Sequence, residues 1–204
     1  MTTPRDLFIV SMDMASDRPV ERGDLSLALA GAELIDLLDA QAIHLDGDRI
    51  VPTYQPVIPD RLLAEAASSL VRETPYEPVA DWLWRRGRNL SAAYLADLEV
   101  EGQIARQQAR RWMVFRTSRL VLVDSPARRQ AADRWASDEP ILAALAADVG
   151  IHGKRTEDSP GVVDDAVATV LVAVDDALGE LADERQRRVR RREEAAENNR
   201  RRGY

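Results

Sequence analysis

The chain has 204 residues, no cysteine, 45% hydrophobic residues and a formal net charge of -7. That is enough apolar material for a real core, and it excludes disulfide and thiolate chemistry and fits a reducing compartment. No window approaches the roughly eighteen uncharged apolar residues of a membrane span, and "MTTPRDLFIVSMD" does not read as a signal peptide, so the expected location is cytoplasmic. Arginine and alanine are abundant and Lys154 is the only lysine; only the placement of the arginines therefore carries information.

In chain order the pattern is mainly helical. "RGDLSLALAGAELIDLLDAQ" repeats apolar residues at Leu25, Leu29, Leu34, Leu37 and Leu38, near the helical period, and Gly31 inside it predicts close packing against another backbone. "AIHLDGDRIVPT" alternates around Asp46-Gly47 and predicts a hairpin near 43–52. "DRLLAEAASSLVRE" is an amphipathic helix capped by Asp60. Prolines 75 and 78 break the chain, and "VADWLWRRGRN" is a short helix ended by Gly87. "LSAAYLADLEVEGQI" is the next, with Ser91 as cap and Gly102 as stop. "RWMVFRT" and "RLVLVD", joined by Ser118, predict a second hairpin near 112–123. "SPARRQAADRWAS" and "DEPILAALAADVG" each open on a capping residue and an early proline. A last core helix is expected from near Val162.

The segments from Leu34 and Leu95 match at an offset of 61 residues: Leu34, Asp36, Leu37 and Ile43 align with Leu95, Asp97, Leu98 and Ile104. Both read as a helix running into a hairpin, which points either to two related units or to a chance likeness of amphipathic helices. The chain closes on "RQRRVRRREEAAENNRRRGY". Nine arginines and three glutamates give residues 185–204 a charge of +6, so the remaining 184 residues carry -13. A domain over 1–184 followed by an arginine-rich tail, frayed or disordered beyond about residue 190, is expected, and the tail faces an anionic partner.

No catalytic constellation is visible, so the expectation is not an enzyme and no cofactor. His44 and His152 have no carboxylate cluster at ligand spacing, and no Gly-rich phosphate loop or nucleophile elbow occurs. "DGD" at 46–48 lacks the other ligand positions of a calcium loop. Asp164, Asp165, Asp175 and Asp176 share a helix face that reads as solvated. A winged-helix reading of residues 90–117 meets the wrong charge: the recognition helix carries Asp97, Glu99 and Glu101 and no arginine, and phosphates would be repelled.

The ordered series "LFIVSMD", "LALAGAELIDLLDAQAIHLDGDRIVP", "LLAEAASSLV", "YLADLEVEGQI", "DRW", "EPILAALAADVG" and "DDAVATVLVAV" resembles the Golgi phosphoprotein 3 family in its bacterial form. The resemblance implies a mainly α, compact helical bundle with two short β-hairpins at the edge. It implies binding of phosphatidylinositol 4-phosphate at a cytosolic membrane face and an adaptor role towards a client protein. It places the family's head-group ligands at Glu21, Ala30, Arg88 and Ser91, of which only Arg88 is basic here; a shift of one residue brings in Arg22. The assembly hairpin of eukaryotic members falls after "DRW" and is shortened, so no oligomer is expected.

The residues themselves point to the same region. Val79, Trp82 and Leu83 share a helix face, which leaves Trp84 turned about 200° from Trp82, among arginines, as an interfacial aromatic. The expected head-group ligands are Arg88, Arg85, Arg86 and Arg22, helped by free N–H groups at a helix start. The expected membrane contacts are Trp84, Arg187, Arg188, Arg190, Arg191 and Arg192. The reading is a peripheral anionic-lipid binder; the alternative is a winged-helix-like DNA-binding or protein-scaffold module.

Overall fold

A computed structural model of the chain describes residues 2–14, 20–54, 57–109, 117–152 and 164–201. Among the described residues are eight helices and two antiparallel two-stranded sheets. The centre is α2 (Arg22–Asp39), in which every residue from Leu25 to Ile35 is buried. Alanines and Gly31 alternate there with leucines, so neighbours close in on all sides, and a helix apolar all round must be covered all round. The cover comes from α1 (Thr3–Met14), α4 (Val79–Arg86), α5 (Leu90–Val100) and α8 (Asp165–Arg201). Helices α3 (Arg61–Ser68), α6 (Pro126–Ala136) and α7 (Pro140–Asp148) complete the bundle.

Helix α1 is absent from the sequence expectations, which see "LFIVSMD" only as a short apolar run. Its residues from Thr3 to Ser11 are all buried, so it has no polar face to reveal a period. Its two buried charges are each paired. Arg5 bonds Asp60, Asp97 at 2.5 Å and Glu101 at 2.6 Å, and Asp6 takes Arg134 at 2.5 Å.

Two glycines set the distance between α2 and α8. A Cβ on Gly31 would lie 2.4 Å from Cγ2 of Val174, and one on Gly23 would lie 2.9 Å from a guanidinium nitrogen of Arg185 and 3.1 Å from Leu181. The expected close approach at Gly31 is thus met by a side chain. As α2 is read backwards from 31 to 23, α8 is read forwards from 174 to 185, so the helices run antiparallel.

The first hairpin is as expected: β1 (Ile43–Asp46) pairs with β2 (Arg49–Pro52) from Ile43↔Pro52 to Asp46↔Arg49, and Gly47 turns the chain at φ +61. The second is shifted. β3 is Ile104–Ala109, not "RWMVFRT", and pairs with β4 (Thr117–Leu122) from Ile104↔Leu122 to Ala109↔Thr117. Residues 110–116 lie outside the described residues, and Ser118 is within a strand rather than at the turn. The polar stretch after Gly102 hides a strand because, among its described side chains, only Ile104, at its start, enters the core.

The 61-residue match extends to the backbone. Ala42 N–H donates to Leu37 O at 2.9 Å and Gln103 N–H to Leu98 O at 2.8 Å; Thr53 N–H donates to Ala42 O at 2.9 Å and Val123 N–H to Gln103 O at 2.8 Å. Gln41 and Gly102 occupy the same left-handed position, φ 54 and 71. Both units are a helix, a left-handed cap and a hairpin.

Helix α8 also departs from expectation. It starts at Asp165, with Asp164 accepting the N–H of Ala166 at 3.0 Å, and it continues through the arginine run to Arg201. Glu184 pairs with Arg187 and Arg188 at 3.1 and 2.8 Å, and Glu197 with Arg201 at 2.5 Å. Such pairs, on good helix formers, support the exposed turns.

Two outcomes follow. Gly31→Ala should lower stability by about 1–3 kcal/mol, because Val174 is stiff and buried, and Val174→Ala in the same chain should recover part of that loss in chemical denaturation. Gln41→Gly should raise stability by about 0.5–1 kcal/mol, since it relieves a left-handed residue with a Cβ; an unchanged midpoint would contradict this.

Candidate functional site

The sequence groups Arg85, Arg86 and Arg88 together, but the helix sends them to three places. Arg86 turns inwards: Nε donates to Glu33 at 2.7 Å, and one terminal nitrogen donates to Glu33 at 2.8 Å and to Leu62 O at 3.0 Å. Glu33 has no solvent exposure and also accepts the Tyr94 hydroxyl at 3.1 Å. Burial pushes the Glu33 carboxyl above its ordinary range against the opposing pull of Arg86. Arg85 makes a forked pair with Glu77 at 2.6 and 2.7 Å and lies 5.1 Å from the Trp82 ring centre. Neither guanidinium is placed to meet a ligand beside Arg88.

Arg88 is exposed and makes no ion pair among the described residues. It lines a cavity of about 290 Å³ with Arg22, Trp84, Gly23, Ser26 and Leu181 among its walls. Three elements build it: the first turn of α2, the junction of α4 with α5, and α8. The junction is tight because a Cβ on Gly87 would meet Leu83 O at 2.5 Å, and Asn89 takes the left-handed conformation at φ 57. Trp82 is fully buried and donates from its indole N–H to Ala30 O at 3.2 Å, while Trp84 is 38% exposed.

The lining contains two arginines and no carboxylate. Arg22 likewise makes no ion pair among the described residues. Glu21 precedes α2 without a side-chain cap, so the positive end of that helix faces the cavity. The expected free N–H groups of α5 are a different matter. Ser91 lies inside α5 rather than capping it; its N–H donates to Ser26 Oγ at 3.0 Å, and its hydroxyl donates to Arg22 O at 3.2 Å. These two serines weld α5 to α2. Of the family positions, Ala30 is buried within the core, Ser91 is buried in this weld, and Glu21 is exposed.

A second cavity of about 600 Å³ is larger, but its two arginines are occupied. Arg5 there is held by Asp60, Asp97 and Glu101, and Arg61 donates to Asp97 at 2.6 Å. An added anion would face those carboxylates. The acidic residues of α5 are therefore partners for arginines: Asp97 for Arg5 and Arg61, and Glu99 for Arg106 at 2.9 Å.

The sequence reading missed Gly23, Ser26 and Leu181 as walls. Gly23 in a first helical turn was the available signal; Leu181 had none beyond its place on an amphipathic helix. The arginines of the tail, Arg187, Arg188, Arg190, Arg191 and Arg192, are exposed on α8 beyond the cavity. No helix among the described residues is long and apolar enough to cross a membrane.

The family model described as Golgi phosphoprotein 3 (GPP34) matches residues 4–201, nearly the whole chain, and the chain belongs to that family. No curated protein matches it.

The division among the arginines has a direct readout. Arg86→Ala should cost about 3–5 kcal/mol by leaving Glu33 charged and unpaired. Burial raises the proton affinity of Glu33 in the folded state above its unfolded value, and in the variant a proton taken up at low pH removes the unpaired charge, so this deficit should be smaller near pH 4 than near pH 8. Arg88→Ala should leave the denaturation midpoint unchanged.

Proposed function

We propose that this Golgi phosphoprotein 3 family member is a peripheral membrane protein that holds an anionic phospholipid head group between Arg22 and Arg88, with phosphatidylinositol 4-phosphate the lipid implied by the family. The observation that carries the reading is the composition of one cavity: two unpaired arginines, a half-exposed tryptophan and no carboxylate. Its volume sits near the lower end of small-ligand sites, the scale of a head group rather than of a whole lipid.

The chemistry is recognition alone. Arg22 and Arg88 approach from α2 and from the α4–α5 junction, so a phosphate between them is gripped from two sides. Each guanidinium offers a planar fork of donors, and the start of α2 adds partial positive charge. Trp84 places an amphipathic ring beside the phosphate, where an acyl chain leaves the head group for the bilayer interface. Arg86 and Arg85 act indirectly. By tying α4 to Glu33 and Glu77, they hold the junction that presents Arg88.

Each charged hydrogen bond to phosphate is worth about 1.5–3 kcal/mol. Arg88→Ala and Arg22→Ala should each weaken binding to vesicles containing phosphatidylinositol 4-phosphate roughly tenfold to a hundredfold, with stability unchanged. Vesicle flotation in which both variants bind as the parent does would remove the cavity from consideration.

A further inference from the structure

The larger cavity, of about 600 Å³, lies within the size range of small-ligand sites. Its apolar wall includes Leu63 of α3, Leu98 of α5, and Val57 and Ile58 from the segment before α3. Val57 is 94% exposed, so an apolar body seated there takes an uncovered side chain out of water. The polar wall is Arg5, Arg61, Asp60, Glu101 and Thr2. Every nitrogen of the two guanidinium groups already donates to a carboxylate: those of Arg5 to Asp60, Asp97 and Glu101, and those of Arg61 to Asp97 and Glu65. Two arginines against four carboxylates leave a formal charge of -2. Acceptors are therefore in surplus. Asp60 is fully engaged, with one oxygen on the Leu63 N–H at 2.9 Å and the other on Arg5. Glu101 is not: each of its oxygens takes one N–H from Arg5, where a carboxylate oxygen can take two, and its side chain is 42% exposed. The Thr2 hydroxyl oxygen is buried and has no hydrogen-bond partner among the described residues.

We propose that this cavity binds an organic ammonium ion with an aliphatic body, Glu101 and the Thr2 hydroxyl accepting from the ammonium. An ammonium brings three N–H donors and no acceptor, which suits a wall whose guanidinium nitrogens are all engaged and whose carboxylate and hydroxyl oxygens are not. Its charge offsets the excess of carboxylates inside a recess, where screening by salt is weaker than at an open surface. Its carbon chain covers Val57, Ile58, Leu63 and Leu98. A carboxylate ligand of the same shape meets no unoccupied guanidinium nitrogen and is repelled by Glu101. A neutral alcohol of that shape gains the apolar contacts alone. The two cavities thus sort ligands by sign: the smaller, with two unpaired arginines and no carboxylate, suits an anion, and the larger suits a cation.

The test titrates the full chain at pH 7 with hexylammonium, hexanol and hexanoate, which share one carbon chain, and follows the methyl signals of Leu63 and Leu98 by NMR. Hexylammonium should shift both residues and saturate at one ligand, roughly tenfold tighter than hexanol, and hexanoate should bind more weakly than hexanol. Glu101→Gln leaves Arg5 paired with Asp60 and Asp97; it should weaken hexylammonium roughly tenfold and leave hexanol unchanged. Arg61→Gln takes a positive charge from the wall and should tighten hexylammonium about threefold. Hexanoate binding as tightly as hexylammonium would mean that the arginines rule the cavity, and equal binding of all three would mean that apolar contact alone acts; both overturn the proposal. So does a parent protein whose leucine signals do not respond to hexylammonium, or an Arg61→Gln variant that binds it more weakly than the parent. Arg88→Ala, in the other cavity, should bind hexylammonium as the parent does, so failure of the head-group reading registers separately.

Discussion

The contact of α2 with α8 at two glycines is the constraint on which the rest depends. Gly31 admits Val174, and Gly23 admits Leu181 and Arg185. Two fixed points, about 12 Å apart along α2, determine both the distance and the direction of α8. Leu181 becomes a wall of the basic cavity because of that direction. The exposed turns of α8 point where they do for the same reason. A side chain at either glycine separates the helices and opens the cavity, so fold and site share one packing decision. Helix α8 is otherwise long enough to be indifferent to its own ends; the glycines give it an anchor.

The second principle is a division among arginines of identical chemistry. Those that enter the bundle are matched by carboxylates: Arg5 by Asp60, Asp97 and Glu101, Arg86 by Glu33, and Arg134 by Asp6 and Glu139. Burial makes such matching obligatory, since a lone buried charge is costly. Arg22 and Arg88 stand at element ends, make no ion pair among the described residues, and stay exposed. An acidic body with basic spots follows from this arithmetic. The core uses carboxylates to neutralise internal guanidinium groups, and two unmatched guanidinium groups, Arg22 and Arg88, meet at one cavity.

Much of this was legible in the sequence. Periodicity marked α2, α3, α5 and the body of α8, and turn chemistry marked the first hairpin. The ordered series of short segments carried the family. The apolar spacing of Val79, Trp82 and Leu83 separated the buried indole from the half-exposed Trp84. What stayed hidden did so for physical reasons. Helix α1 is covered on every side, so it shows no period. Strand β3 is polar after Ile104, so its pairing with β4 depends on a partner that local reading does not see. Arg85 and Arg86 looked like ligands because they adjoin Arg88, yet a helix turns them by about 100° each, and Glu77 and Glu33, which claim them, lie 8 and 53 residues away on other elements. Ser91 looked like a cap because hydroxyls cap helices; its real partner, Ser26, lies on another helix 65 residues away. The tail looked frayed because its charge density masks the pairs that Glu184 and Glu197 make along the helix.

The central claim is that one phosphate is held between Arg22 and Arg88, from two elements that only the fold brings together. Nitrogen-15 NMR of the arginine Nε–H groups during titration with a short-chain phosphatidylinositol 4-phosphate addresses it atom by atom. The account predicts that the Arg22 and Arg88 signals shift together and saturate at one ligand, that the Trp84 indole N–H moves with them, and that Arg85 and Arg86, held by Glu77 and Glu33, stay in place. Shifts confined to the arginines of α8, or saturation at Arg5 and Arg61 in the larger cavity, would contradict it.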